Sequence, residues 1–192
     1  DSDDQWFKQK LEEQVAFFKK NPELRLVHTE EIWIKNGKRI NQGKRHKKNS
    51  GDIFERSLEL CLISPSTVML KRELFDEYGY FDESLPVCED YDLWLRITAF
   101  EKIGFIEKPL IYKYGGHSDQ LSKKYEAMDR FRVISMINLF KNSRLSIDRR
   151  VAIKNIALKK ISILISGAKK RNNFSDLELY LKWYNFFNSV SY

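Results

Sequence analysis

The chain has 192 residues, of which 42% are hydrophobic and 14% aromatic, so it can bury a real core and is not a disordered tail. Its two cysteines are too few for a disulfide framework and favour a reducing cytoplasm. No apolar stretch approaches the roughly 20 residues needed to span a bilayer. The net charge of +7 is unevenly shared, because residues 125–192 hold 13 Lys or Arg against 5 Asp or Glu. A composition boundary is therefore predicted near residue 124.

The first predicted element is a helix over residues 5–20, which Asp3 or Asp4 would cap. One apolar stripe supports it, consisting of Leu11, Val15 and Phe18. Alternating apolar residues over 24–34 then predict a strand, and Asn36-Gly37 is a turn signal. A basic loop at residues 38–48 follows.

The remaining elements are predicted from apolar periodicity and turn residues. Helices are expected at residues 52–60, 72–78 and 89–100. Short strands are expected at 67–70, 104–107 and 110–114, the last of them opened by Pro109. Beyond the loop that contains His117 the pattern is helical, with lysines beside an apolar stripe. The sequence thus predicts an α/β part followed by an all-α part.

Two acidic clusters suggest two different tasks. Asp1-Ser2-Asp3-Asp4 is a D-x-D run whose carboxylate oxygens suit a hard divalent cation, although the same residues could simply cap a helix. Glu89-Asp90 opens a helical segment, where the helix dipole keeps a carboxylate ionised and able to accept a proton. These two acids could equally be ordinary residues of a first helical turn. Cys88 beside them has no His or Asn partner that would indicate a nucleophile.

The order of four short motifs resembles the second half of a family 2 glycosyltransferase of the GT-A fold, and the likeness covers residues 1–124. The motifs are Asp1-Ser2-Asp3-Asp4-Gln5-Trp6, Thr29-Glu30-Glu31-Ile32-Trp33-Ile34-Lys35-Asn36-Gly37, Cys88-Glu89-Asp90-Tyr91-Asp92-Leu93-Trp94-Leu95-Arg96 and Gly116-His117-Ser118-Asp119-Gln120-Leu121-Ser122. The family places a nucleotide-binding half before the D-x-D run. The resemblance therefore implies a fragment: a partial GT-A domain, Rossmann-like, at 1–124 and a basic helical extension at 125–192.

The resemblance also implies a metal site and a catalytic base. Asp1 and Asp3, with His117, would hold Mn²⁺ or Mg²⁺, although His117 could equally be a solvent-facing loop residue. Asp90, the second acid of the family's E-D pair, would deprotonate an acceptor hydroxyl. Glu89 would orient Asp90 or touch the acceptor.

Further residues are implied as substrate contacts, namely Asp4, Trp94, Gln120 and Ser122. Trp94 lies four residues beyond Asp90 and is either a sugar-stacking platform or a core residue. Ser122 could instead cap a helix. Trp33 has the same two interpretations, and the core is favoured for it.

The function implied by the resemblance is an inverting, metal-dependent transfer of a sugar from a nucleotide-sugar donor to a glycan or lipid-linked acceptor, in cell-surface polysaccharide synthesis. The alternative is an inactive fragment with a folding or binding role. The basic extension is either a solvated face or a peripheral contact with anionic lipid at the inner face of the membrane. Nucleic-acid binding is disfavoured, since no RNA-binding motif is present.

Overall fold

The computed structural model describes residues 2–116 and 125–190. In this part of the chain, five strands form a mixed sheet in the order β1-β5-β2-β3, and the short β4 pairs with β2. The strands are β1 (Gln5–Trp6), β2 (Leu26–Lys35), β3 (Lys38–Ile40), β4 (Met69–Leu70) and β5 (Gly104–Gly115). The two long strands, β2 and β5, are parallel, and the other pairings are antiparallel.

Four helices accompany this sheet in the first described range, and three more make up most of the second. The first four are α1 (Lys10–Lys20), α2 (Phe54–Glu59), α3 (Glu73–Tyr78) and α4 (Glu89–Thr98). The others are α5 (Asp129–Phe140), α6 (Ile147–Lys170) and α7 (Phe174–Ser189). The α/β prediction is confirmed. None of the described helices is long and apolar enough to cross a membrane.

The start of the chain differs from the prediction of a helix over residues 5–20. Gln5 and Trp6 pair with β5 as a short strand, and the helix begins only at Lys10. Asp4 does not cap this helix, because its Oδ1 atom accepts a hydrogen bond from the Tyr114 amide at 3.0 Å. Pairing with a neighbouring strand can thus place residues in the sheet that their local pattern assigns to a helix.

Two of the three residues in the apolar stripe predicted for α1 face solvent and not the core. Leu11 and Val15 are exposed, whereas Lys10 and Gln14 are buried. Gln14 Nε2 donates to the Thr67 carbonyl at 2.9 Å, so polar side chains attach this helix to the rest of the fold. A periodicity argument assigns the apolar face to the core and could not find this arrangement.

One long strand replaces the two short strands predicted around Pro109. β5 runs through Pro109, and its pairing with β2 shifts register on either side of Glu30. Proline has no amide hydrogen for a ladder hydrogen bond, so an irregularity at this point lets the strand continue. The Asn36-Gly37 turn is confirmed, with both residues at positive φ.

Two hydrophobic clusters hold the described fold together. One lies by the sheet and contains Leu26, Ile63, Leu74, Leu93 and Trp94, among others. The other joins helices from both described ranges: Leu58 of α2 and Tyr91 of α4 belong to the same cluster as Met136 of α5, Ile161 of α6 and Phe187 of α7. The second described range therefore packs onto α2 and α4.

Candidate functional site

Asp90 lies in the first turn of α4 and is half-buried. Its Oδ1 atom accepts from the Tyr91 amide at 2.6 Å, and its Oδ2 atom accepts from the Cys61 thiol at 3.5 Å. Burial, together with the adjacent Asp90 carboxylate, raises the pKa of Cys61 well above the ordinary range for a thiol. Cys61 therefore remains protonated near neutral pH and serves as a hydrogen-bond donor.

Side-chain hydrogen bonds attach the helix that carries Asp90 to neighbouring segments. The Tyr91 hydroxyl donates to the Leu58 carbonyl at 2.8 Å, inside the helical cluster. Arg96 Nε donates to Asp92 Oδ2 at 2.9 Å and Arg96 Nη2 to the Tyr80 carbonyl at 2.7 Å, which anchors the loop before the helix. Asp90 is thus the acid of α4 that is held in place and still accessible.

Cys88 precedes the helix in an unusual backbone conformation. Its φ is 65°, in the left-handed region that residues other than glycine seldom adopt. Burial raises the pKa of the Cys88 thiol to about 11, so it does not ionise near neutral pH. The inference that Cys88 is not a nucleophile agrees with this environment. Its backbone turn sets the direction in which the Glu89-Asp90 pair enters the helix.

The two N-terminal carboxylates that the structure describes differ in environment. Asp3 is exposed in a turn, while Asp4 lies between β1 and the end of β5. Asp4 Oδ2 is buried, and no described residue donates a hydrogen bond to it. A buried carboxylate oxygen without a donor can be satisfied by a cation, so this side chain chemically fits a divalent metal.

Several predicted site residues lie outside the described residues: Asp1, His117, Gln120 and Ser122. Within 2–116 and 125–190, no three His, Cys, Asp or Glu side chains are grouped closely enough to hold a metal ion. The predicted metal set of Asp1, Asp3 and His117 therefore remains a prediction.

Of the remaining predicted residues, Glu89 is half-buried as the first residue of α4, beside Asp90. Trp94 is 4% exposed and packs in the cluster by the sheet, with the Phe81 ring edge-on at 6.2 Å. This position corresponds to the core alternative for Trp94 and leaves little surface on which a sugar could stack.

A buried polar cluster lies at the carboxyl end of β2, and sequence reasoning missed it. Glu31 Oε1 accepts from Trp33 Nε1 at 2.7 Å and from Ser64 Oγ at 3.2 Å, and it lies 3.1 Å from Lys48 Nζ. Lys113 Nζ donates to Ser64 Oγ at 2.7 Å. The side chains of Glu31 and Lys48 are 1% and 3% exposed. The sequence signals were a pair of acids, Glu30-Glu31, within a strand and their place in the motif of residues 29–37.

The charge of Glu31 is stabilised by its neighbours. Burial alone would raise its pKa, but Lys48 and Lys113 outweigh that effect and lower the pKa below its usual value, helped by the Trp33 and Ser64 hydrogen bonds. An ionised Glu31 therefore holds the indole of Trp33 in one orientation. The same carboxylate keeps Ser64 in place beside Lys113.

Residues 61–64 connect the two groups of side chains. Cys61 contacts Asp90 at one end of this segment, and Ser64 contacts Lys113 at the other. The residue after Lys113 is Tyr114, whose amide binds Asp4. The structure thus links the predicted base and the described acid of the D-x-D run through one short segment and the end of β5. A cavity of about 550 Å³ between α2 and α6 is lined by none of these residues.

Comparisons with known proteins show that this chain is similar to glycosyltransferases. No protein-family model matches the chain. An uncharacterised glycosyltransferase of Rickettsia conorii is 33% identical over 110 residues, which is 57% of this chain and 18% of that protein. One from Rickettsia bellii is 32% identical over 130 residues, 65% of this chain and 19% of that protein. The chain thus spans about a fifth of the length of these curated relatives.

A solved structure with a similar fold is that of one particular protein. The crystal structure of S. aureus TarS residues 1–349, in complex with UDP-GlcNAc, superimposes with a TM-score of 0.65. The match covers 97% of this chain and 55% of the TarS chain, at 18% sequence identity. At that identity the likeness establishes a shared fold, and over nearly its whole length this chain has the fold of part of TarS.

Proposed function

We propose that this chain is the acceptor-activating part of an inverting, metal-dependent glycosyltransferase that uses a nucleotide-sugar donor. One observation carries the proposal: Asp90 is held on a rigid helix start, half-buried, with a protonated thiol on one of its oxygens. Support comes from relatives named glycosyltransferases and from a fold neighbour that binds UDP-GlcNAc. A cell-surface polysaccharide or a lipid-linked glycan is the acceptor class we propose.

In the proposed reaction, Asp90 removes the proton of an acceptor hydroxyl as that oxygen attacks the anomeric carbon of the donor. The bond from the anomeric carbon to the diphosphate breaks on the opposite face, and the nucleoside diphosphate leaves. Glu89 would orient the base or the acceptor. A divalent cation, when bound through Asp3 and Asp4 with Asp1 and His117, would neutralise the charge on the leaving diphosphate.

The first test replaces Asp90 by Asn in the natural full-length protein. The amide keeps the shape of the side chain and cannot act as a base, so sugar transfer should fall about 10² to 10⁴-fold while donor affinity stays nearly unchanged. Asp76→Asn is the matched control, because Asp76 is also in the first turn of a helix, α3, and is exposed. An equal loss of donor affinity in Asp90→Asn would place Asp90 in the metal or donor site instead.

The second test concerns the cation. Asp3→Ala removes a proposed ligand, and Asp4→Asn keeps an acceptor for the Tyr114 amide while removing the charge. Both variants should lose the Mn²⁺-dependent part of donor binding, measured by calorimetric titration with and without the metal. Retention of the full Mn²⁺ effect in both would contradict a metal site at the D-x-D run.

A further inference from the structure

A cavity of about 220 Å³ opens at the carboxyl ends of β2 and β5, beside the strand edge that binds Asp4. Its walls include Trp33 and Lys35 from β2 and Lys113 from β5. Trp33 and Lys113 are partners in the parallel register, so they stand side by side on the sheet. The volume is below the roughly 300 Å³ at which pockets for drug-sized ligands begin, which suits a single sugar ring.

The indole of Trp33 is a fixed surface of this cavity. Its Nε1 atom donates to the buried Glu31 carboxylate at 2.7 Å, and the His46 ring meets it edge-on at 5.2 Å. Trp33 is nevertheless only half-buried, so part of the ring faces the opening. A pyranose presents an apolar face of C–H groups, for which a rigid aromatic side chain is a complementary surface.

Lys113 gives the cavity its charge. Its ammonium donates to Ser64 Oγ at 2.7 Å and lies 5.8 Å from the centre of the Trp33 ring. Among the described ion pairs, Lys48 lies 3.1 Å from Glu31 and 4.0 Å from Glu30, while Lys113 has no carboxylate within salt-bridge distance. Lys35, an exposed residue, also lines the wall. The open side of the cavity therefore favours an anion next to the aromatic surface.

We infer that this cavity binds one sugar residue that carries a negatively charged group, a carboxylate or a phosphate, as part of the acceptor. Trp33 stacks against the ring, Lys113 pairs with the anion, and Glu31 is the positioning residue that fixes the indole and the Ser64 hydroxyl. The assignment to an acceptor rests on the proposed function. Preference for an anionic sugar is a separate property that can be measured without any transfer reaction.

The test is an NMR titration of the 192-residue chain in which the indole N–H signals are followed. The signal of Trp33 is identified as the one lost in Trp33→Phe, and the buried Trp94 gives an internal reference. The probes are D-glucuronate, D-glucose 6-phosphate, D-glucose and inorganic phosphate. We expect the Trp33 signal to shift with one or both anionic sugars at an affinity about tenfold higher than for glucose, equal to about 1.4 kcal/mol.

Two variants separate the cation from general basicity. Lys113→Met should reduce the affinity for the anionic sugars to that for glucose. Lys108→Met should not, because Lys108 lies on the same strand but is 56% exposed and paired with Glu13 on the surface. If Lys113→Met does not fold, the wild-type chain in about 0.5 M salt gives the same answer, since screening should weaken binding of the anionic sugars alone.

Some outcomes distinguish a carboxylate-bearing sugar from a phosphate-bearing one, and others would overturn the inference. Binding of glucuronate alone identifies a carboxylate-bearing sugar, and binding of glucose 6-phosphate alone identifies a phosphate-bearing one. Equal affinities for glucose and both anionic sugars, or an unmoved Trp33 signal with every probe, would overturn the inference. Inorganic phosphate that shifts this signal as strongly as the sugar phosphate would overturn the sugar part. The titration needs no transfer reaction, so failure of the proposed catalysis, measured with Asp90→Asn in the full-length protein, would be seen separately.

Discussion

Lys10 is a charged side chain that the fold has almost entirely removed from solvent, with 1% of its surface exposed. Its ammonium donates to Gln14 Oε1 at 2.8 Å and lies 4.0 Å from the centre of the Trp6 ring. These contacts do not replace full hydration, and burial lowers the pKa of Lys10 to about 8. The folded chain therefore binds this proton less tightly than the unfolded chain, whose lysines have a pKa of about 10.4.

That difference predicts how stability changes with pH. Between about pH 8 and 10.4 the unfolded chain holds more protons at this position than the folded chain, so stability rises with pH through this window. We expect the free energy of unfolding of the wild type, relative to Lys10→Met, to increase by ~3 kcal/mol between pH 7.5 and 10.5. Urea unfolding at several pH values measures it.

The control for this prediction is Lys8→Met, which replaces an exposed lysine two residues away. Its stability should differ from the wild type by the same amount at every pH tested. A wild-type curve parallel to that of Lys10→Met would show that the buried ammonium keeps its ordinary pKa.

Asp90 and Glu31 show which site residues a sequence can indicate. Asp90 belongs to an acidic pair at a helix start, and the resemblance to the family's E-D pair singled it out. Glu31 lies in a strand that reads as half-buried, and its importance depends on Lys48, Ser64 and Lys113, which are distant in sequence. Only the folded chain brings these four side chains together. Pairing across long separations is the information that local pattern does not contain.

At the scale of elements, most of the predicted strands and helices are present, and the errors have physical causes. The β2 strand and the helix of Asp90 were predicted because periodicity and turn residues agree there. The helix predicted from residue 5 failed because β5 pairs with Gln5 and Trp6. The strand predicted to begin at Pro109 is part of a longer one, because a register shift accommodates the proline.

Lys160 is a buried polar attachment of the long helix α6. The sequence pattern places lysines of this helix beside an apolar stripe, and Lys160 is 8% exposed and points into the helical packing. Its ammonium lies 2.9 Å from Asp129 Oδ1 of α5 and donates to the Glu59 carbonyl of α2 at 3.1 Å. The Lys160 ammonium thus connects α6 to both α2 and α5.

Removing that charge should weaken the whole helical packing. Lys160→Met leaves the Glu59 carbonyl without this donor and Asp129 with Arg132 as its cation, so we expect a loss of ~2 kcal/mol in the free energy of unfolding. Lys159→Met is the matched control, since this neighbour is exposed and should change stability by less than about 0.5 kcal/mol. Equal stabilities of the two variants in urea unfolding would contradict this role.

At the scale of the whole molecule, the positive charge is concentrated in the helices of residues 125–190. Part of it serves packing, because Lys160 is buried and Lys154 Nζ donates to the Val190 carbonyl at 2.8 Å. The exposed cations at the end of α6 are Lys169, Lys170 and Arg171. Attraction to anionic lipid and simple solvation are the two interpretations of that group, and they differ in a measurable way.

Peripheral attraction predicts that the protein sediments with anionic vesicles and not with neutral ones. About 0.5 M salt should release it, because the Debye length then falls well below the ~10 Å found at 0.1 M. Replacing Lys169, Lys170 and Arg171 by Gln should abolish sedimentation, whereas the same change at Lys8, Lys19 and Lys20, exposed near or on α1, should not. Binding that resists salt, or none at all, would favour the solvated face.

The hydrophobic cluster that joins α2 and α4 to the later helices links the packing of the Asp90 helix to that of α7. Tyr91, next to Asp90, is buried in that cluster together with Phe187 near the end of α7. Because such a core melts as one cooperative unit, heat, a protease or a truncation that removes α7 should also release the Asp90 helix. Loss of the proposed catalytic geometry would then follow the unfolding of helices that carry none of the proposed catalytic residues.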